Sequence, residues 1–234
     1  MPYARHENAD EHIRVQPLVS VGGAAMAFIA GYVNASMLEV YNVPVSHMSG
    51  AVSRLGVDVA QNKTAELSQI LQIVLFFVSG CIVSGFIIGS QTLKPGRQYA
   101  IVLALEGLIL ALAAYLLGNS NPLCVPFAAM ACGMQNAMAS SYYGLIIRTT
   151  HITGILTDLG VLLGHALRYR EIKWWKIGFL GGLVSGFFLG SLSAILLKEP
   201  TSGRGLWVAA GLCLSATVVY LLVLKKWIRR EAAS

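Results

Sequence analysis

Six stretches of this chain, residues 17–41, 67–93, 98–118, 122–147, 174–198 and 205–228, stay apolar for about 20 residues or more, enough for a helix to cross a hydrocarbon core about 30 Å thick. No other property limits the fold as tightly, because a backbone in lipid must satisfy its own N–H and C=O groups. A helix does so within one segment. The sequence therefore predicts an all-α, polytopic integral membrane bundle. Composition agrees: charged residues are 12% of the chain, about half the share in a soluble domain. Turn residues mark the breaks at Lys94-Pro-Gly-Arg97, Gly118-Asn-Ser-Asn-Pro122 and Glu199-Pro-Thr-Ser-Gly203. A polar tail, residues 1–16, precedes the first run. That run, at about 24 residues, exceeds the apolar core of a signal peptide and reads as a retained span.

The chain is also written twice. His47-Met-Ser-Gly-Ala-Val-Ser-Arg-Leu-Gly-Val57 returns as His151-Ile-Thr-Gly-Ile-Leu-Thr-Asp-Leu-Gly-Val161. Upstream, Gly31-Tyr-Val-Asn34-Ala35 returns as Gly133-Met-Gln-Asn136-Ala137, and downstream Val83-Ser-Gly-Phe86 returns as Val184-Ser-Gly-Phe187. The offsets are 104, 102 and 101 residues, so three landmarks keep one order. This divides the chain into a first repeat over 17–118, a second over 122–228 and a basic end over 229–234. Duplicated apolar chains are a common build of small-solute transporters, which place their site where the copies meet.

Segments 47–61 and 151–168 differ from the six spans. Each follows the Asn-Ala span of its repeat, opens behind Ser46 or Thr150 as a candidate N-cap, and as a helix reaches only about 22–27 Å. Both carry charge, so they read as short membrane-embedded helices. If they re-enter without crossing, there are six spans, the repeats are inverted, and Lys and Arg divide 13 inside to 4 outside. If they cross, the repeats are parallel and the division is 11 to 5, with Arg54 inside a helix. The positive-inside rule favours the first arrangement, with both termini cytoplasmic.

His151, Asp158 and His165 are seven apart and share one helix face; His47, Arg54 and Gln61 take the same positions in the first copy. A polar stripe on an embedded helix is costly against lipid, which predicts that both stripes face a shared interior. Across a pseudo-two-fold, Arg54 and Asp158 are candidates for a gating or ion-coupling pair; the alternative is an i,i+4 pair of Arg54 with Asp58. The start of each short helix offers free N–H groups and positive dipole to an anion. Ser49 and Thr153 add hydroxyls there, Gly50 and Gly154 permit close approach, and His47 and His151 can bind an anion or relay a proton. Plain capping and packing is the competing reading. Asn34 and Asn136 offer carboxamides to a solute or a neighbouring helix. Glu106 lies mid-span without an acidic counterpart in the second copy, and is a candidate proton or cation site.

Other features read structurally. Gly85-x-x-x-Gly89 and Gly182-x-x-x-Gly186-x-x-x-Gly190 suit close helix packing, and their recurrence suggests that the two third helices meet equivalent neighbours, or each other. Cys81, Cys124, Cys132 and Cys213 show no CxxC spacing and read as small apolar residues. Trp174 and Trp175 beside Lys173 and Lys176, with Tyr99, Tyr142 and Trp227, suit interfacial belts. The net charge of +6 sits at helix ends and does not suggest nucleic acid. The chain has no GxSxG, HExxH, Walker or GxGxxG motif, and His151 and His165, about 21 Å apart along one helix, cannot share a metal. No enzyme activity, cofactor or metal is expected.

At the same residues the chain resembles the YoaK-like family of bacterial membrane proteins, a domain of unknown function. The similar stretches are Gly31-Tyr-Val-Asn-Ala35, Ser46-His-Met-Ser-Gly50, Gly133-Met-Gln-Asn-Ala137 and Thr150-His-Ile-Thr-Gly154. The family pattern has Asp at the position of Asn34, Thr at Ser49 and Asn at Ala51, so the first copy here is less polar. The resemblance implies a small polytopic fold in a bacterial inner membrane and supplies no substrate. The sequence as a whole predicts a secondary transporter or channel for a small polar or anionic solute, with its site between the starts of the two short helices. The alternative is a non-transporting scaffold, sensor or accessory protein. The bilayer is the expected partner, and assembly into a homo-oligomer stays open.

Overall fold

The computed structural model describes residues 9–89, 96–140, 150–170, 174–197 and 204–231. They form eight helices and, among the described residues, no strand. In chain order these are α1 (Ala9–Tyr41), α2 (Met48–Ala60), α3 (Thr64–Ile88), α4 (Arg97–Gly118), α5 (Cys124–Ser140), α6 (Ile152–Tyr169), α7 (Trp174–Leu196) and α8 (Arg204–Glu231). Each of the six apolar runs holds a helix among its described residues, and both short segments are helices of their own. Five helices are long and apolar enough to cross a membrane: α1 over Ser20–Tyr41, α3, α4, α7, and α8 over Gly205–Arg229. The remaining run, 122–147, holds α5, described over 17 residues; residues 141–147, with Tyr142, lie outside the described residues, as do Lys173 and most of the turns at 94–97 and 199–203. α1 starts at Ala9, eight residues before the apolar run.

Three helix pairs carry the bundle: α1 with α7, α3 with α5, and α4 with α8. α1 and α7 run in one direction. Gly23 lies beside Phe179 and Leu183, and further along both helices Gly31 lies beside Phe187. α1 and α5 run in opposite directions. The end of α1 meets the start of α5 through Tyr41 and Cys124, while Gln135 Nε2, late in α5, donates to the Met26 carbonyl at 2.6 Å. α4 and α8 are also opposed: the Tyr220 hydroxyl donates to the Gly96 carbonyl at 3.2 Å, and Cys213 lies near Glu106.

The two parallel crossings repeat each other contact for contact. In one, a Cβ on Gly31 would collide with the Phe187 carbonyl, and one on Gly190 with the Phe28 carbonyl. In the other, Gly133 abuts the Phe77 carbonyl and Gly80 the Met130 carbonyl. The Ser191 hydroxyl donates to the Gly31 carbonyl at 3.1 Å, and the Cys81 thiol to the Gly133 carbonyl at 3.3 Å. Glycine is required because backbone touches backbone, which is how helices gain dispersion contact in lipid. Residues of α3 and α7 that make matching contacts, such as Gly80 and Gly190, are 110 apart, whereas the Val-Ser-Gly-Phe stretches are 101 apart. Gly85 has open space where a Cβ would stand, and Phe86 is 89% exposed. Nor do the two third helices meet: α3 packs on α5 and α7 on α1. Of the glycine ladders, Gly186 and Gly190 touch a neighbouring backbone, while Gly85, Gly89 and Gly182 face open space.

Candidate functional site

Each short helix is anchored to the span before it by an asparagine. Asn34 Oδ1 accepts hydrogen bonds from the Ser46 amide at 3.2 Å and the Ser46 hydroxyl at 2.9 Å. Asn34 and Ser46 are both buried. Seven residues separate Asn34 from the end of α1, so the chain turns back by about 10 Å before α2 begins. In the second copy Asn136 Nδ2 donates to Thr150 Oγ1, and Asn136 Oδ1 accepts from the Thr150 amide at 3.4 Å. The carboxamides thus hold the loop that aims each short helix. Ser46 and Thr150 are its anchored residues; the N-cap positions fall one residue later, on His47 and His151, without a side-chain cap. The capping expectation is corrected accordingly: each hydroxyl is engaged by an asparagine.

α2 lies on α3, and α6 on α7, so the two short helices do not pack on each other. His47 nevertheless reaches the other half of the chain, its ring edge-on to Phe187 at 6.1 Å between centroids. Ser46 Oγ stands 3.2 Å from His47 Nδ1. His47, Ser49, Gly50, His151 and Thr153 are exposed on the protein surface. Gly50 meets open space, whereas a Cβ on Gly154 would strike the His151 ring. Close approach therefore explains Gly154 alone, and the group that approaches is a side chain of its own helix.

The polar stripes point outward. Arg54 is 56% exposed and bonds Asp58, which is fully buried, at 3.1 Å from Nε to Oδ1. It is the ion pair of the described residues. The i,i+4 alternative holds, and Arg54 does not meet Asp158, which is exposed on α6. His165 is also exposed and packs edge-on to Tyr169. The physical reason is placement: α2 and α6 rest on different helices, so stripes that match in sequence do not converge. Of the residues expected in an interfacial belt, Trp174 and Trp175 are exposed, with the Lys176 ammonium 5.3 Å from the Trp175 ring centre. Tyr99 departs from it; it is buried against Tyr220.

Glu106 is 1% exposed and sits between α4 and α8, where Cys213 Sγ lies 3.5 Å from Oε1. Its Oε2 has no hydrogen-bond partner among the described residues. One contributor escaped the sequence reading: Gln135 ties α5 to α1. Asp58, the buried end of the Arg54 pair, is the residue that i,i+4 spacing offered. Nothing local to the sequence marks Gln135, whose partner is 109 residues away.

No curated protein and no solved structure matches this chain. A family model described as a protein of unknown function, DUF1275, matches residues 22–219, which takes in both asparagine anchors, both short helices and Glu106. With most of its length covered and the motifs in the places described, this chain belongs to the DUF1275 family, the YoaK-like family that its sequence resembles.

Proposed function

We propose that this multi-pass membrane protein is a secondary transporter or channel for a small polar or anionic solute. In this reading it is built from two inverted repeats and resides in a bacterial inner membrane with both termini cytoplasmic. One observation carries the proposal: α2 is anchored at Asn34, about 10 Å back from the end of α1, and α6 is anchored in the same way at Asn136. Helix N-termini held inside the bilayer present free N–H groups and positive dipole to a solute at depth, as the broken helices of transporters do. The opposed directions of α1 and α5, and the matched crossings α1–α7 and α3–α5, support inverted copies. His47, Ser49, Gly50, His151, Thr153 and Gly154 form the solute-facing starts, and Asn34 and Asn136 position them. Arg54, Asp158 and Glu106 are the charged groups available for gating or coupling. A non-transporting scaffold, sensor or accessory role draws on a different observation, the outward stripes of α2 and α6, which a partner or second copy would cover.

Two measurements test this. On a background without the four native cysteines, single cysteines at Asn62 and Ser120 are expected to react with an impermeant maleimide in intact cells. Labelling that requires permeabilisation would make the short helices full crossings and remove the inverted arrangement. For transport, liposomes containing the purified protein, with valinomycin to let potassium balance the charge, are expected to swell in isosmotic potassium chloride, nitrate, formate or acetate at a rate well above empty liposomes. His47→Ala combined with His151→Ala is expected to lower that rate about tenfold or more, the scale of one lost charge-assisted hydrogen bond. Swelling unaffected by the double substitution would move the site elsewhere, and no swelling with any of the four anions would favour the scaffold.

A further inference from the structure

Glu106 stands apart from both short helices, and the transport geometry leaves its environment unexplained. It lies midway along α4 with 1% exposure, and Oε2 has no hydrogen-bond partner among the described residues. Two titratable groups face it: Cys213 from α8, whose thiol lies 3.5 Å from Oε1, and Cys132 from α5, close enough for electrostatic interaction. No cationic side chain pairs with it; the ion pair of the described residues is Arg54–Asp58, on α2. A bare carboxylate taken out of water without a counter-charge is far costlier than a neutral acid. A metal cation could supply that charge, but alkali and alkaline-earth ions need a shell of several oxygens, and the hydrogen-bonding neighbour of Glu106 here is the Cys213 thiol. Among the described residues no three His, Cys, Asp or Glu side chains converge as metal ligands would.

A permanently fixed neutral carboxyl would also be expected to hold its O–H against an acceptor, since buried polar groups in stable cores are paired. Among the described residues Glu106 Oε2 is not paired. Its position is at the α4–α8 contact, where Gly107 brings the helices together: a Cβ there would lie 2.9 Å from Leu214 and 3.3 Å from the Ala210 carbonyl. Small movements of α8 over Gly107 would therefore open or close access to the carboxyl.

We propose that Glu106 is a proton-binding site in the membrane interior, one that exchanges its proton with water and holds no metal cation. The proposal deepens the transport reading by naming the proton as the coupling ion. It rests on that reading for its purpose, while the binding itself can be measured without any transported solute.

The test uses dicyclohexylcarbodiimide, an apolar reagent that takes the acid proton onto nitrogen while the carboxylate oxygen adds to its central carbon, leaving a stable acylurea after rearrangement. The full chain in native membranes is treated between pH 5.5 and pH 9, and the Glu106 peptide is quantified by mass spectrometry. Labelling is expected at low pH, falling about tenfold per pH unit once the carboxyl titrates, and unchanged by adding sodium, potassium or magnesium. Glu106→Gln removes the label from this peptide, and a water-soluble carbodiimide, which reports surface acids, does not reproduce it. Labelling independent of pH, or none at any pH, would overturn proton exchange. Protection by one of the cations would overturn the choice of proton. Failure of the anion-swelling measurement together with pH-dependent labelling would remove the transport reading and leave the proton site standing.

Discussion

Replacing Gly31 or Gly190 by alanine is expected to destabilise the protein strongly. Each added Cβ would overlap a carbonyl of the facing helix, that of Phe187 or Phe28. Backbone cannot rotate away as a side chain can, so α1 and α7 must separate along their most extensive contact. Overpacking of this kind costs about 1–3 kcal/mol and occasionally more. Gly80→Ala and Gly133→Ala are expected to do the same at the α3–α5 crossing, against the Met130 and Phe77 carbonyls. Gly85→Ala and Gly182→Ala face open space and should gain up to about 1 kcal/mol of helix propensity. Denaturation midpoints of the six purified variants in one detergent decide the matter. If the four crossing variants melt with the two open ones, the crossings are not as close as described.

The second large effect is expected at Asn34. Leucine there removes the acceptor for both the amide and the hydroxyl of Ser46, leaving the buried amide without a partner and the hydroxyl with His47 Nδ1 alone at 3.2 Å. An orphaned buried donor costs about 1–3 kcal/mol, so the start of α2 should come loose while α1 stays packed. Hydrogen exchange over residues 48–60 is expected to speed up about tenfold or more, since about 1.4 kcal/mol is a factor of ten in a local opening equilibrium. Asn34→Asp keeps both acceptor functions and should exchange close to the parent, which fits the aspartate of the family pattern at this position. Equal behaviour of the leucine and aspartate variants would sink the anchoring role. The matching change Asn136→Leu should loosen residues 152–169 through Thr150.

These two predictions sit on opposite sides of what could be read from the residues. The asparagines and the serine and threonine that they bind were visible as recurring polar positions in apolar surroundings, where each such group must find a partner. Which partner it finds was not visible. The bond from Asn34 to Ser46 spans 12 residues and folds the chain back on itself, and no helical periodicity encodes that return. The glycines were harder still. Gly85 and Gly190 both occupy small-residue ladders, yet one faces open space and the other a carbonyl. In lipid an outward leucine is as comfortable as an inward one, so apolar pattern does not tell the packed face from the lipid face.

By itself, then, the sequence determined the class of fold, the helices, the two short segments and the polar positions that set this chain apart from plain spans. Local physics suffices there, because a backbone in hydrocarbon must bond to itself and a run of apolar residues is either long enough to cross or not. The tertiary structure alone decided the partners: α1 with α7, α3 with α5, Arg54 with Asp58 and not with Asp158, and Glu106 with two thiols and an unpartnered oxygen. Those choices depend on fit between surfaces far apart in the chain, where a single methyl group on a glycine decides whether two helices can touch.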